Sequence, residues 1–114
     1  MTNQRRGSAL AMIGLLSTGF LALGGPTESW AADSAKVVIK DFMYMPMTLT
    51  VKAGTTVTWV NRDDEPHTVV SSAGLFRSGG LDTNESYSYR FDKPGTYGIV
   101  CSIHPRMVAT IVVE

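Results

Sequence analysis

The stretch Cys-Ser-Ile-His-Pro-Arg-Met at residues 101–107 gathers three metal-binding side chains into seven residues. A thiolate (Cys101), an imidazole (His104) and a thioether (Met107) follow one another with the spacing Cys-x2-His-x2-Met. Such a mixture of sulfur and imidazole donors suits a soft, redox-active metal. The chain has one cysteine and two histidines, so the second imidazole, that of His67, must fold back from far upstream to join them.

The alternation of side chains on either side of this stretch predicts where its donors point. Cys101 has the same parity as apolar Ile99, and Met107 has the same parity as Ala109. Because successive strand residues point to opposite faces of a sheet, we expect both sulfurs inside, at the two ends of a loop that joins neighbouring strands. His67 begins a further predicted strand, so three strand ends are expected to meet at one pole.

The rest of the chain after residue 32 consists of short alternating segments separated by turn residues, without a helical period. This pattern predicts an all-β, antiparallel sandwich or barrel. The predicted strands cover residues 37–41 with an extended continuation over 42–46, then 49–51, 55–60, 67–71, 87–91, 96–101 and 107–113.

Four donors in this arrangement favour a mononuclear blue-copper site. Two imidazoles and a thiolate in a near-trigonal set, with a weak axial thioether, match His67, Cys101, His104 and Met107. Zinc is the competing metal, but it prefers closed Cys/His sets and rarely binds a thioether. A nucleophilic Cys–His pair is a further alternative that lacks a third, orienting residue. A complete ligand set leaves no open position for a substrate, so we expect no enzyme activity.

The N-terminal 31 residues have the pattern of a secretory signal peptide. Arg5 and Arg6 precede an uncharged apolar run over residues 10–23, and Ser-Trp-Ala at 29–31 predicts cleavage after Ala31. Residues 32–114 then form one exported, periplasmic or similarly located domain without a stable membrane anchor. An uncleaved anchor and a twin-arginine signal are the alternatives for this segment.

Charge and composition restrict the classes of binding partner that the sequence favours. The formal net charge of the whole chain is zero, which does not favour a polyanion such as nucleic acid. The acidic run at residues 63–65 is interpreted as a solvated turn, with steering of a basic partner as the alternative. Met43, Met45 and Met47 are interpreted as strand residues that fill gaps, with soft Cu(I) binding as the alternative.

Two longer patterns resemble the cupredoxins, in particular the small amicyanin-like and plastocyanin-like electron carriers. Residues 42–69 read F-x-Y-x-P-x-x-L-x-V-x-x-G-x-x-V-x-W-x-N-x-D-x-x-P-H-x-V, and residues 91–107 read F-x-x-P-G-x-Y-x-x-x-C-x-x-H-x-x-M. The resemblance implies an eight-stranded Greek-key sandwich with one copper near a pole, bound by His67, Cys101, His104 and axial Met107. It also implies that electrons pass through the exposed edge of the His104 ring.

That resemblance implies a function as well. A monomeric shuttle would carry single electrons between a donor and an acceptor redox protein that dock transiently near His104. The alternative is a copper-binding or delivery protein of the cell envelope.

Three positions depart from the pattern of the familiar carriers. Thr68 replaces an asparagine that ties the two ligand loops together, so we expect a weaker tie. Ile103 replaces a proline, so its N–H, together with that of Thr68, is expected to bond the Cys101 sulfur. Arg106 replaces an apolar residue on the rim beside His104.

Overall fold

The computed structural model describes residues 33–114, so the predicted signal peptide lies outside the described residues. Within this range, no helix is present that is long and apolar enough to span a membrane. The described chain folds into eight strands, which we number in chain order. They are β1 (Ser34–Lys40), β2 (Met43–Met45), β3 (Thr48–Val51), β4 (Thr55–Asn61), β5 (Val70–Ser71), β6 (Ser86–Phe91), β7 (Gly95–Val100) and β8 (Val108–Val113).

The strands form two four-stranded sheets, in the orders β2-β1-β4-β6 and β3-β8-β7-β5. The prediction of an all-β sandwich is therefore confirmed. Four of the six strand pairs in the described chain are antiparallel, as predicted, whereas β1 pairs parallel with β4 and β3 pairs parallel with β8. After β2 the chain leaves the first sheet, and β3 lies beside the C-terminal strand of the second sheet with the same direction.

An aromatic cluster around Trp59 fills the space between the sheets. The Trp59 side chain has no exposed surface, and its ring lies 6.0 Å from that of Phe76 and 6.3 Å from that of Phe91. Such large apolar side chains dominate the burial that stabilises a small domain. The predicted parity is confirmed at the pole as well, since Cys101 is fully buried and Met107 is only 4% exposed.

Two local predictions are wrong. Residues 42–46 do not continue β1: the chain reverses at Asp41 and Phe42, whose φ angles are +54° and +59°, and β2 returns antiparallel along β1. His67 does not begin a regular strand. It forms an isolated antiparallel bridge with Leu81, with its N–H 3.1 Å from the Leu81 oxygen, and strand pairing begins only at Val70.

Candidate metal centre

The loop between β4 and β5 places the His67 ring in the interior. Asn61, at the end of β4, organises this loop: its side-chain nitrogen donates to the backbone oxygens of Glu65 at 2.8 Å and Leu81 at 2.7 Å. Its side-chain oxygen accepts the N–H of Asp63 at 2.9 Å. Asn61 is fully buried, so its bonds are shielded from water and hold the loop firmly. His67 consequently has no exposed surface.

The segment after β7 carries the other three predicted donors in a closed loop. The N–H of Cys101 donates to the Met107 oxygen at 3.1 Å, and the N–H of Met107 donates to the His104 oxygen at 2.9 Å. These two bonds turn the chain over seven residues and place both sulfur-bearing side chains inside. His104 is partly buried, while Pro105 and Arg106 at the tip are exposed.

Thr68 connects the His67 loop to the Cys101 loop. Its N–H lies 3.4 Å from the Cys101 sulfur, and its hydroxyl oxygen lies 3.7 Å from the same sulfur. That hydroxyl also accepts the N–H of Ser102 at 2.8 Å. The threonine hydroxyl thus supplies a short bond across the two loops, at the position where the familiar carriers have an asparagine.

The N–H groups of Thr68 and Ile103 were both expected to bond the Cys101 sulfur, and within residues 33–114 only one of them does. The N–H of Thr68 does so, whereas Ile103 makes no such bond. Its side chain is 47% exposed, which places it at the outer side of the loop. The departure at Ile103 thus changes the surface of the pole rather than the surroundings of the sulfur.

The two imidazoles lie against each other with unpaired nitrogens. Their ring centroids are 5.0 Å apart, and Nδ1 of His67 and Nε2 of His104 are both buried without a hydrogen-bond partner. A buried polar atom without a partner costs free energy, and a shared metal would satisfy both nitrogens. Phe42 covers the pair, with its ring edge-on to His67 at 5.1 Å and to His104 at 4.9 Å.

The donor set of two imidazoles, a thiol and a thioether fits copper by its chemistry. Within residues 33–114, no three His, Cys, Asp or Glu side chains converge closely enough to hold a metal as they stand.

Comparison with known proteins identifies the family of this fold. The family model of the cupredoxin-like domain matches residues 11–113. The chain is a cupredoxin. It is 33% identical to amicyanin-alpha of Methylorubrum extorquens over 113 residues, covering 93% of this chain and 95% of the relative.

Two further relatives link this cupredoxin to copper and to electron carriers. It is 38% identical to plastocyanin of Scenedesmus fuscus, over 77% of this chain and 98% of the relative. A solved Cu(I) form of an amicyanin variant superimposes with a TM-score of 0.68 at 36% identity, covering 75% of this chain and 86% of that one. The resemblance drawn from the motifs is thus confirmed, and copper is the cofactor of the family.

Asp63 of this cupredoxin is not the solvated residue that the acidic run predicted. Its side chain is buried, and its carboxylate contacts Nε2 of His67 at 2.8 Å. Burial by itself raises the pKa of a carboxyl, but hydrogen bonds from the N–H groups of Phe42 and Asp41 and from His67 outweigh it and lower the pKa of Asp63. Asp64 and Glu65 are exposed, so the prediction is wrong only for the first residue of the run.

The three methionines of residues 43–47 do not fill gaps in the core. Met43 is 44% exposed, Met45 is 39% exposed and Met47 is 54% exposed, so that interpretation is wrong. Met43 and Met47 line a shallow hollow of about 210 Å³ beside the pole. The remaining lining residues are Phe42, Arg106, Met107 and Val108.

Proposed function

We propose that this cupredoxin is an exported blue-copper protein that shuttles single electrons between two redox proteins. In this proposal His67, Cys101 and His104 bind the copper, with Met107 as the weak axial ligand. The observation that carries it is the pair of unpaired, buried imidazole nitrogens beside a buried thiol. Membership of the cupredoxin family supports the same conclusion.

Copper bound at this pole would supply the Cu(II)/Cu(I) couple, and the chain's own residues keep the site constant between the two states. The Cys101 sulfur accepts a bond from the Thr68 N–H, which fixes its position relative to the His67 loop. The backbone bonds from Cys101 to Met107 and from Met107 to His104 brace the second loop. Bracing of this kind limits rearrangement when an electron arrives or leaves.

An apolar surface around the pole is the proposed docking face for redox partners. The half-exposed side chains there are those of Phe42, Ile103 and Val108, and exposed Arg106 lies among them. Contiguous exposed apolar side chains mark interaction sites, and redox encounters are typically small and transient. A partner on this face would lie next to His104, which shares a shallow hollow with Ile103, Pro105 and Arg106.

We further propose that cleavage after Ala31 releases the domain as a monomer into the periplasm or an equivalent compartment. The predicted signal peptide supports this location. A buried, unpaired cysteine is compatible with an oxidising compartment when a metal occupies its thiolate.

The test is the visible absorption spectrum of the purified protein with one equivalent of Cu(II), before and after ascorbate. An intense thiolate-to-copper band that is bleached by reduction and restored by oxidation is expected. The variant Cys101→Ser is the control and should lack the band. A colourless wild-type protein, or one with only weak tetragonal copper bands, would contradict the proposed site.

Copper delivery is the second candidate, and one observation favours it. Met43 and Met47 present exposed thioethers in the same hollow as Met107, and thioethers select Cu(I). The Arg106 charge in that hollow opposes a cation. Repeated one-electron cycling without copper loss supports the shuttle, whereas transfer to an acceptor under mild competition supports delivery.

A further inference from the structure

We propose that Asp63 is a positioning residue of the metal centre, one that fixes the His67 ring and the aromatic cover of the site through a single carboxylate. This inference rests on the proposed role of His67 as a ligand. It concerns a residue outside the four donors, and the sequence alone indicated a solvent-exposed turn at this position.

The first step is the contact with His67. The Asp63 Oδ2 atom lies 2.8 Å from Nε2 of His67, and both side chains are buried. A carboxylate can only accept, so Nε2 carries the proton and Nδ1 presents its lone pair. Nδ1 is the buried nitrogen that lacks a hydrogen-bond partner, so its lone pair is available to a metal. Carboxylate partners of ligand imidazoles fix tautomer and ring orientation in this way.

The second step is the turn between β1 and β2. The same carboxylate accepts the Asp41 N–H at 2.7 Å and the Phe42 N–H at 2.9 Å. Both residues are in the left-handed region, with φ values of +54° and +59°, and this conformation is unfavourable for a bulky residue such as Phe42. Bonds to an ionised acceptor are stronger than neutral ones and offset this strain. The turn brings the Phe42 ring edge-on to both imidazoles.

The third step is the anchoring of Asp63 itself. Its N–H donates to the Asn61 side chain at 2.9 Å, and its backbone oxygen accepts the Thr83 hydroxyl at 2.6 Å. Its side chain is 7% exposed, whereas the neighbouring Asp64 is exposed. Asp63 is therefore a fixed member of the site, and Asp64 offers an adjacent carboxylate with the same formal charge but none of these contacts.

A carboxylate bonded to a ligand imidazole makes the ring nitrogen a stronger electron donor to the metal. Stronger electron donation stabilises the more highly charged metal ion. Asp63 should therefore favour Cu(II) over Cu(I). Replacing it with a neutral residue is expected to raise the reduction potential and to weaken Cu(II) binding by about 10–100-fold, the usual effect of losing an outer partner of a metal ligand.

The matched pair Asp63→Asn and Asp64→Asn tests this inference, because each variant removes one negative charge. Reduction potential and Cu(II) affinity are measured for both and for the wild type. Asp63→Asn is expected to raise the potential and lower the affinity, while Asp64→Asn leaves both near the wild-type values. Equal shifts in the two variants would mean that only the general electrostatic field is involved, and the inference would be overturned.

A second measurement uses the metal-free wild-type protein, so it does not depend on whether the variants fold. Nitrogen-15 NMR at neutral pH reports which ring nitrogen of His67 carries the proton. The expected result is a proton on Nε2, and a proton on Nδ1 alone would overturn the inference. If the wild-type protein forms no blue site, the proposed function fails, but this measurement still decides whether Asp63 orients the His67 ring.

Discussion

Thr68 directs two donors at the sulfur of Cys101, its N–H at 3.4 Å and its hydroxyl at 3.7 Å. The same hydroxyl accepts the Ser102 N–H at 2.8 Å. One residue therefore determines both the electrostatic surroundings of the sulfur and the distance between the two loops of the pole. Hydrogen bonds to a ligand thiolate withdraw electron density from it and tune the potential of the metal.

The substitution Thr68→Val removes the hydroxyl but keeps the side-chain shape and the backbone N–H. We expect a lower reduction potential, because the sulfur becomes a stronger donor to Cu(II). We also expect the free energy of unfolding to fall by about 1–3 kcal/mol, since the Ser102 N–H loses its acceptor. Voltammetry of the copper protein and urea unfolding of the metal-free protein measure the two effects.

The control for Thr68→Val is Ser102→Ala. It removes the contact between the Ser102 and Thr68 hydroxyls at 3.0 Å and leaves both sulfur contacts in place. The potential of this variant should match the wild type. An unchanged potential in Thr68→Val would show that its hydroxyl does not act on the sulfur.

The aromatic cover of the site gives a second prediction. Phe42→Leu keeps an apolar side chain but removes the edge-on contacts with both imidazoles, each worth about 0.5–1.5 kcal/mol. We expect copper loss to a chelator to become about 5-fold faster, the equivalent of roughly 1 kcal/mol, because both rings gain freedom. The decay of the visible band after addition of a chelator measures the rate.

Leu75→Ala is the control for Phe42→Leu. Leu75 is 53% exposed and lines a different hollow, together with Tyr89 and Lys93. Its loss should leave the rate of copper release unchanged. Equal rates in the wild type and in Phe42→Leu would contradict a role for the aromatic ring in retaining the metal.

The sandwich was predictable from the sequence because several of its strands, such as β6 and β8, alternate between the two faces. Met107, Ala109, Ile111 and Val113 occupy one parity of β8 and the residue before it, and all four are buried. Alternation reports which face a residue occupies, and this placed both sulfurs of the pole correctly. It carries no information on strand direction, so the parallel pairs of β1 with β4 and of β3 with β8 were missed.

The β1–β2 turn and the role of Asp63 were not predictable because they depend on contacts distant in sequence. Phe42 is not a residue that usually adopts positive φ, and the groups that stabilise the turn belong to Asp63, more than 20 positions later. A local pattern cannot show that one aspartate of an acidic run turns inward. The position of Asp63 four residues before His67 was the available signal, and it gains meaning only once the loop is folded.

Tyr44 yields a prediction for alkaline pH. Its hydroxyl is buried and donates to the Thr68 oxygen at 2.7 Å. Burial raises the pKa of Tyr44 far above its ordinary value, and the nearby charge of Cys101 raises it further. An unfolded tyrosine releases its proton above about pH 10. The folded chain therefore keeps the full Tyr44 contribution to stability below that pH and loses it as the pH rises towards the folded pKa.

The comparison of metal-free wild type with Tyr44→Phe isolates this effect, because all other groups titrate in both proteins. Near neutral pH the wild type should be more stable by about 1 kcal/mol, owing to the hydrogen bond to Thr68. Above about pH 10 the advantage should shrink by up to about 1.4 kcal/mol per pH unit. Urea midpoints measured from pH 7 to pH 11 give the difference, and a constant gap would show that Tyr44 ionises equally in both states.

Arg106 gives a prediction that requires no identified partner. It is exposed at the rim of the pole, among the apolar side chains of the proposed docking face. In the proposed shuttle, electron self-exchange would bring the poles of two copies together, and their two Arg106 charges would repel each other across a distance that salt screens. Arg106→Gln should therefore exchange electrons faster than the wild type at low salt, and its rate should depend less on ionic strength. NMR line widths of mixed oxidised and reduced protein give the self-exchange rate.

The control for Arg106→Gln is Arg77→Gln, which removes a positive charge from the hollow lined by Val70 and Phe76. If Arg106→Gln responds to salt as the wild type does, electrons do not leave through this face.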